Sequence, residues 1–358
     1  MNSKIVKKSI LTFAILIVSL AVYSQVGGRG VYEFLNLNSS ARVAALGGKQ
    51  IAIWDNDLNF VFQNPSLLAP EMSNNLALSY VNYFMDINYG YASYAHSYKG
   101  NNMLAGGIQY INYGEFTGAN ETGIKTGTFT AAEYAFNIIY SRSLDSNWNV
   151  GINVKPLYSS LEKYTSLGIA ADLGITYHHS NQLFAAAFVV RNLGTQFKGY
   201  YSNHREPLPF ELQLGVSQRL QHAPFRFSFT AHQLQNPNML YELPEEDEPT
   251  DFFGQSTKEQ TKLEKFGDGM MRHMIIGVEF LPFQGFSLRA GYNYQRRQEL
   301  KVEDRLAMIG FSWGVGIKLK RFQLNYGKAA YHLAGGTNHF SISTNFSDFK
   351  KKANPINN

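Results

Sequence analysis

From Leu76 almost to the C-terminus the chain alternates apolar and polar residues one by one, and no segment approaches the length of a membrane-crossing helix. A helix needs about 20 consecutive apolar residues to cross a bilayer, whereas a tilted strand crosses with about 10. Lipid offers no water to satisfy backbone N–H and C=O groups, so strands can cross only as a closed barrel. The period of two is clearest over Ser166–Tyr177, where Leu167, Ile169, Ala171, Leu173, Ile175 and Tyr177 share one face and Ser166, Asp172 and Thr176 lie on the other. Ala132–Ser141 sets Tyr134, Phe136, Ile138 and Tyr140 against Glu133, Asn137 and Ser141. Phe210–Arg219 sets Leu212, Leu214 and Val216 against Glu211, Gln213 and Ser217. Late in the chain Ile309, Phe311, Trp313, Val315, Ile317 and Leu319 alternate with Gly310, Ser312, Gly314, Gly316 and Lys318. Such alternation marks strands with one apolar face.

A soluble sandwich alternates too, and the spacing of the breaks separates the two. About 14 strands are predicted, beginning near Leu76, Ile87, Met103, Thr130, Trp148, Thr165, Leu183, Phe210, Phe225, Met271, Phe286, Ala307, Phe322 and Thr337. Short connections (Lys99–Asn102, Leu144–Asn147, His178–Gln182, Gln221–Pro224, Leu281–Gly285, Lys320–Arg321) interleave with longer ones (Gly114–Gly127, Ser159–Tyr164, Gly194–Pro207, Gln235–Gly269, Gln295–Arg305, Ala329–Gly336). Phe84–Asp86 is a short exception. Outer-membrane barrels have short periplasmic turns, longer outer loops and an even strand number, and a sandwich has no cause to alternate in this way. The expected fold is all-β, a 14-stranded antiparallel transmembrane barrel over residues 76–346, with residues 347–358 as a basic tail. Aromatic residues at 14% and charged residues at 16% suit lipid-facing girdles.

The N-terminus reads as an export signal over residues 1–24. Lys4, Lys7 and Lys8 precede the apolar run Ile10–Val22, and Val22 and Ser24 supply small residues for cleavage. Residues 25–75 form a plug: Ser39 or Ser40 can cap a short helix ending at Gly47, and Asn64–Pro65 can start another turn. Trp54, Phe60, Phe62, Leu67 and Leu68 give this segment an apolar surface that the barrel lumen can bury.

The formal charge of +5 falls to +2 without the three signal lysines, and to −1 without Lys350, Lys351 and Lys352. No basic stripe is left for a nucleic acid. Cysteine is absent, so thiolate metal sites are excluded. Ser160–Lys163 and Ser347–Lys350 match S-x-x-K and Lys125–Gly127 matches K-T-G, but the order is wrong and no S-D-N follows. His178–His179 falls in a turn with no third ligand at metal spacing and reads as solvated. No enzyme, cofactor, metal or small-molecule substrate is expected from these residues.

Two sets of charges remain. Glu133, Lys155, Asp172, Glu211, Arg219, Arg226, Glu279, Arg289 and Lys318 have lumen-facing parity. A turn centred on Gln284 sets Glu279 opposite Arg289 inside the barrel, and Phe280 opposite Leu288 outside, a charge pair worth about 0.2–1 kcal/mol. The longest connection, Gln235–Gly269, carries acids at Glu242, Glu245, Glu246, Asp247 and Glu248 and aromatic anchors at Phe252, Phe253 and Phe266. Parity puts it outside the cell, where aromatic anchors ringed by charge suit a docking interface.

Gly27-Gly-Arg-Gly-Val-Tyr-Glu-Phe-Leu-Asn-Leu37 and Ser40-Ala-Arg-Val-Ala-Ala-Leu-Gly-Gly48 resemble the start of the PorQ/PorV family, with the Gly-rich prelude nearer the PorQ branch. Arg42, Gly47 and Gly48 lie in this motif. Asn64-Pro-Ser-Leu-Leu-Ala69 resembles the N-P-A-G-L-A segment of FadL-like barrels, departing at Ser66 and Leu67. The resemblance implies an outer-membrane protein of the Bacteroidetes type IX secretion system, a barrel with an N-terminal hatch. It also implies that the loops hold the surface protein PorZ in an attachment complex with PorU and PorV. The alternative is a FadL-like transporter of hydrophobic small molecules. If the export reading holds, intact-mass measurement of the membrane-inserted protein will show Gln25 as its first residue; a retained Met1 would overturn it.

Overall fold

The structure is a computed structural model, and it describes residues 30–202, 204–237, 239, 261–300, 308–332 and 335–349. The proposed signal lies outside the described residues, as does the tail beyond Phe349. Fourteen strands form one closed antiparallel barrel: β1 (Asn75–Asn82), β2 (Asn88–Ser97), β3 (Asn102–Ala119), β4 (Lys125–Ser143), β5 (Trp148–Leu161), β6 (Tyr164–His178), β7 (Phe184–Lys198), β8 (Glu211–Arg219), β9 (Phe225–Ala231), β10 (Met274–Phe283), β11 (Phe286–Asn293), β12 (Phe311–Leu319), β13 (Phe322–His332) and β14 (Gly335–Asn345). Each strand pairs with its sequence neighbours, and β1 closes on β14 with Leu78 opposite Ile342 and Tyr80 opposite Phe340.

Pairing on both edges satisfies every ladder, and the alternation then divides each strand between lipid and lumen. Phe136, Ile138, Leu173, Leu214, Trp313 and Phe340 are exposed on the outside. Asn137, Asp172, Gln213, Ser312 and Ser341 are buried inside. Ring contacts such as Trp148–Tyr177, Tyr292–Phe311 and Trp313–Tyr326 tie neighbouring strands together on the outer surface.

The long connections differ from expectation. Residues 114–127 are mostly strand, because β3 and β4 run 18 and 19 residues and project past the rim as a hairpin. Asn120 closes its tip: its Oδ1 accepts from the Thr122 and Ile124 amides and the Thr122 hydroxyl. Residues 159–164 shrink to a tight turn in which Glu162 takes φ 56°. Residues 262–272 and 294–300 are helices, so β10 starts at Met274 and not Met271. Ile309 is buried ahead of β12 and does not join its outward face.

Residues 30–74 lie inside this wall. Ser40 caps the helix Ala41–Ala45, its hydroxyl accepting from the Val43 amide, and Gly47 (φ 100°) turns the chain away. Inward glycines of three adjacent strands form the seat. A side chain at Gly314 of β12 would sit 2.6 Å from Ala45, one at Gly327 of β13 would run into the Ala41 carbonyl, and one at Gly291 of β11 into the backbone at Leu46–Gly47. Ser312 Oγ donates to the Ala45 carbonyl at 3.0 Å, and the Ala41 amide donates to Ser341 at 2.8 Å. Glycine here is a matter of space: the helix backbone fills the volume of the missing Cβ. Gly327→Val should therefore unseat the helix at a cost of about 1–3 kcal/mol. A lower melting temperature and faster proteolysis within residues 30–74 of an inserted barrel are the expected signs; wild-type values for both would refute the seat.

Candidate functional site: the plugged lumen

The lumen has two unlike halves, and the plug is amphipathic to match. On β1–β5 the inward residues include Ala77, Val81, Tyr89, Tyr91, Met103, Ala105, Ile139 and Leu157, which form one apolar cluster with Phe34, Leu35, Leu58, Val61, Phe62, Leu68 and Met72 of the plug. On β8–β14 they are polar: Gln213, Ser217, Ser228, Thr230, Ser287, Asn325 and Thr337 are all buried. Alternation of apolar with polar residues therefore describes only part of the barrel. On β1–β4 many inward residues are apolar as well, with Ser79, Gln109, Glu133 and Asn137 set among them, and on β5 Asn149, Asn153 and Lys155 are polar inside.

The polar half carries an ion lock. Arg42, on the helix Ala41–Ala45, donates from Nε and Nη2 to Glu279 on β10 at 2.8 and 2.9 Å, and from Nη2 to Asp55 at 2.7 Å. Its Nη1 donates to Asp57 at 3.1 Å. Arg226 of β9 donates to both Asp55 and Glu279, at 2.8 and 2.9 Å, and Arg289 of β11 donates to Glu279 at 2.9 Å and Asn325 at 2.9 Å. The cluster thus holds three guanidiniums and three carboxylates, and its formal charge is zero. Charge-assisted, bidentate bonds of this kind fix orientation as well as position. Burial opposes the charges of Arg42 and Asp55, yet each is stabilised by the other: Asp55, Glu279 and Asp57 hold Arg42 well above its usual range, and Arg42 with Arg226 holds Asp55 below 3.8.

Further anchors surround the lock. Lys49 pairs with Glu211 at 2.5 Å; burial lowers the lysine, and Glu211 counteracts it. His232, just past β9, is pushed down to about 4 by burial and by Lys49, so it is neutral at pH 7. Asn64 Oδ1 accepts from the Ser66 amide at 3.0 Å and caps the turn Pro65–Leu67. Its Nδ2 donates to the Ile51 carbonyl and to Thr176 at 2.7 and 2.9 Å. Gly48 takes φ 109° beside Asn38 and Arg296. Trp54 stacks on His178 at 3.9 Å, so this histidine is not the solvated turn residue expected; the plug indole covers it.

Below the lock, at the end with the short turns, a cavity of about 900 Å³ opens between the plug and β8–β14. Arg42, Asp55, Asp57, Arg226 and Arg289 form part of its lining, and Arg219 and Lys318 reach it from the rim, where both are exposed.

The expected pair Glu279 and Arg289 thus sits within a larger cluster, at the register Glu279↔Arg289 and Phe280↔Leu288. Asp55 and Asp57 of the plug were not singled out from sequence, and nor were Lys49 or the buried Arg191; the Asp-Asn-Asp run after Trp54 was the available signal. Glu242, Glu245, Glu246, Asp247, Glu248, Phe252 and Phe253 lie outside the described residues. Phe266 is exposed on the helix Lys262–Arg272. Among the described residues no group of three His, Asp or Glu side chains is placed to hold a metal.

No protein-family model matches the chain, and no curated protein matches it in sequence. Solved structures do resemble it. The toluene transporter TodX of Pseudomonas putida is 14% identical, aligning over 87% of this chain and 99% of its own, with a TM-score of 0.53. The toluene transporter TbuX of Ralstonia pickettii is 11% identical over 87% and 100%, with a TM-score of 0.51. The monoaromatic hydrocarbon channel CymD is 12% identical over 87% and 98%, with a TM-score of 0.50. The shared property is the fold, a closed 14-stranded antiparallel barrel.

Removing Arg42 leaves three carboxylates facing two guanidiniums. Arg42→Ala should lower stability by about 3–5 kcal/mol, read as a shifted denaturation midpoint of the inserted protein. Acid should act in the same direction. A carboxyl held below its unfolded value contributes stability above that value and loses it as pH falls through the folded one. The plug should therefore stay protease-resistant from pH 5 to 8 and loosen below about pH 4. An Asp55→Asn variant whose acid profile matches that of the wild type would exclude Asp55 from the lock.

Proposed function

We propose that the chain is a non-enzymatic FadL-like transporter that moves hydrophobic small molecules across the outer membrane, with the N-terminal plug as its stopper. The observation that carries this reading is the continuous apolar contact between the plug and the β1–β5 half of the lumen. An apolar solute could follow that face if the plug shifts, while the polar half stays bonded. The shared fold with TodX, TbuX and CymD, whose described cargoes are toluene and monoaromatic hydrocarbons, supports an apolar cargo of that size.

A second reading, a scaffold of the type IX secretion system that anchors a PorZ-like surface protein, is favoured by one specific observation. The residues that carry the resemblance to the PorQ/PorV family, Ser40–Gly48, are those that build the seat and the lock, including Arg42 and Gly47. A plug welded at this point suits a sealed platform. Cells producing the chain should take up radiolabelled toluene several times faster than cells without it, and Ala105→Phe, which narrows the apolar face, should slow them. Uptake at the empty-cell rate by an inserted barrel would reject transport. Loss of a co-purifying surface protein on deletion of residues 242–260 would then establish the scaffold.

A further inference from the structure

The helix Lys262–Arg272 is inverted with respect to the protein it sits on. It has 11 residues and begins with a complete capping box, in which Thr261 and Glu264 each satisfy the other's backbone amide. Positions four apart share a face. Phe266 and Met270 form one face, 65% and 58% exposed. Asp268 and Arg272 form the other, bonded to each other at 2.8 Å and nearly covered. The polar face is the one held by the protein: Tyr294 donates its hydroxyl to Asp268 at 2.6 Å. In water an amphipathic helix packs the opposite way, apolar face inward.

Its position identifies the occupant. The helix runs through His273 directly into β10, and His273 continues the barrel ladder by accepting from the His232 amide. Tyr294 follows β11, and its ring meets that of Tyr292, whose other neighbour is Phe311 on β12. Tyr292 and Phe311 belong to the lipid-facing side, opposite each other in the β11–β12 ladder. The covered face of the helix is therefore held at Tyr294, next to the outer aromatic pair, and between its uncovered face and the outward Met274 of β10 lies Met271, which is 41% exposed. Aromatic residues of this kind mark the membrane–water boundary, and helices with one apolar face lie in that plane.

We propose that this helix is an interfacial anchor, with Phe266 and Met270 immersed in the outer leaflet and Lys265 directed to its anionic headgroups. The anchor fixes the outer end of β10, the strand that carries Glu279, at the height of the membrane surface. It depends on the barrel's outer-membrane placement and not on what the barrel carries, so it stands apart from the question of transport.

The chain has no cysteine, so single-cysteine labelling is clean. Phe266→Cys, Met270→Cys and Lys265→Cys, with Leu288→Cys as a lipid-facing reference, are each given a nitroxide and reconstituted in vesicles containing anionic lipid. Collision rates with oxygen and with a water-soluble nickel chelate are then compared. Labels at positions 266 and 270 should collide preferentially with oxygen, as at 288, while the label at 265 prefers nickel. Nickel preference at both 266 and 270 would place the face in water and overturn the anchor. Protection from both reagents would show protein covering it, a second copy or a surface partner, and would overturn it equally. Two positions are used because one altered side chain alone could disturb the helix.

Discussion

Everything in this molecule follows from the need to satisfy backbone hydrogen bonds where there is no water. The β1–β14 seam leaves the sheet no edge, and closure then imposes a second problem: the inward faces of the strands enclose a space that must be filled or hydrated. The first described segment of the chain fills it. Because β1–β5 present a mixed, apolar-rich face inward and β8–β14 a mainly polar one, an amphipathic filler fits, and residues 30–74 carry both kinds of surface.

The ion lock should be read in terms of specificity. Removing three guanidiniums and three carboxylates from water is expensive, and their mutual attraction roughly offsets that expense without a large surplus. What the cluster does supply is a unique orientation. Arg42 needs Glu279 on one side and Asp55 and Asp57 on the other, so the plug helix has one rotation and one height at which all of its donors are matched. The glycine seat of β11–β13 enforces the same position sterically, and the two constraints agree.

The wall of the barrel was legible from sequence because a period of two survives wherever lipid and a polar lumen lie on opposite sides. Strand starts at Trp148, Phe225, Phe286 and Phe322 agree between sequence and structure. The signal failed where its physical cause was missing. Around β3 and β4 the strands leave the membrane, so nothing requires an apolar face, and 114–127 read as loop. On β1–β4 part of the lumen face packs on the plug through apolar residues, so the expectation of a polar interior held at Glu133, and at Lys155 of β5, and failed at Tyr89, Tyr91, Met103 and Ile139. The Glu279–Arg289 register was legible because hairpin parity fixes it. The plug's half of the lock was not, since Asp55 and Asp57 lie on irregular backbone with no period to say where they point.

The plug bonds at both ends of the chain's contour: the Ala41 amide reaches Ser341, 300 residues away, while Arg42 reaches Glu279. Such distant contacts carry a high loop-closure entropy and form late. A segment that is made first but cannot complete its bonds until β10 and β14 exist has to wait inside a growing sheet. Threading it into a finished barrel would carry the plug's own Arg42, Asp55 and Asp57, one negative charge in excess, through a narrow lumen before Arg226, Glu279 and Arg289 complete the cluster. The closed wall holds it as rolled sheet metal holds a mandrel, with the β1–β14 ladder as the seam that keeps the mandrel in.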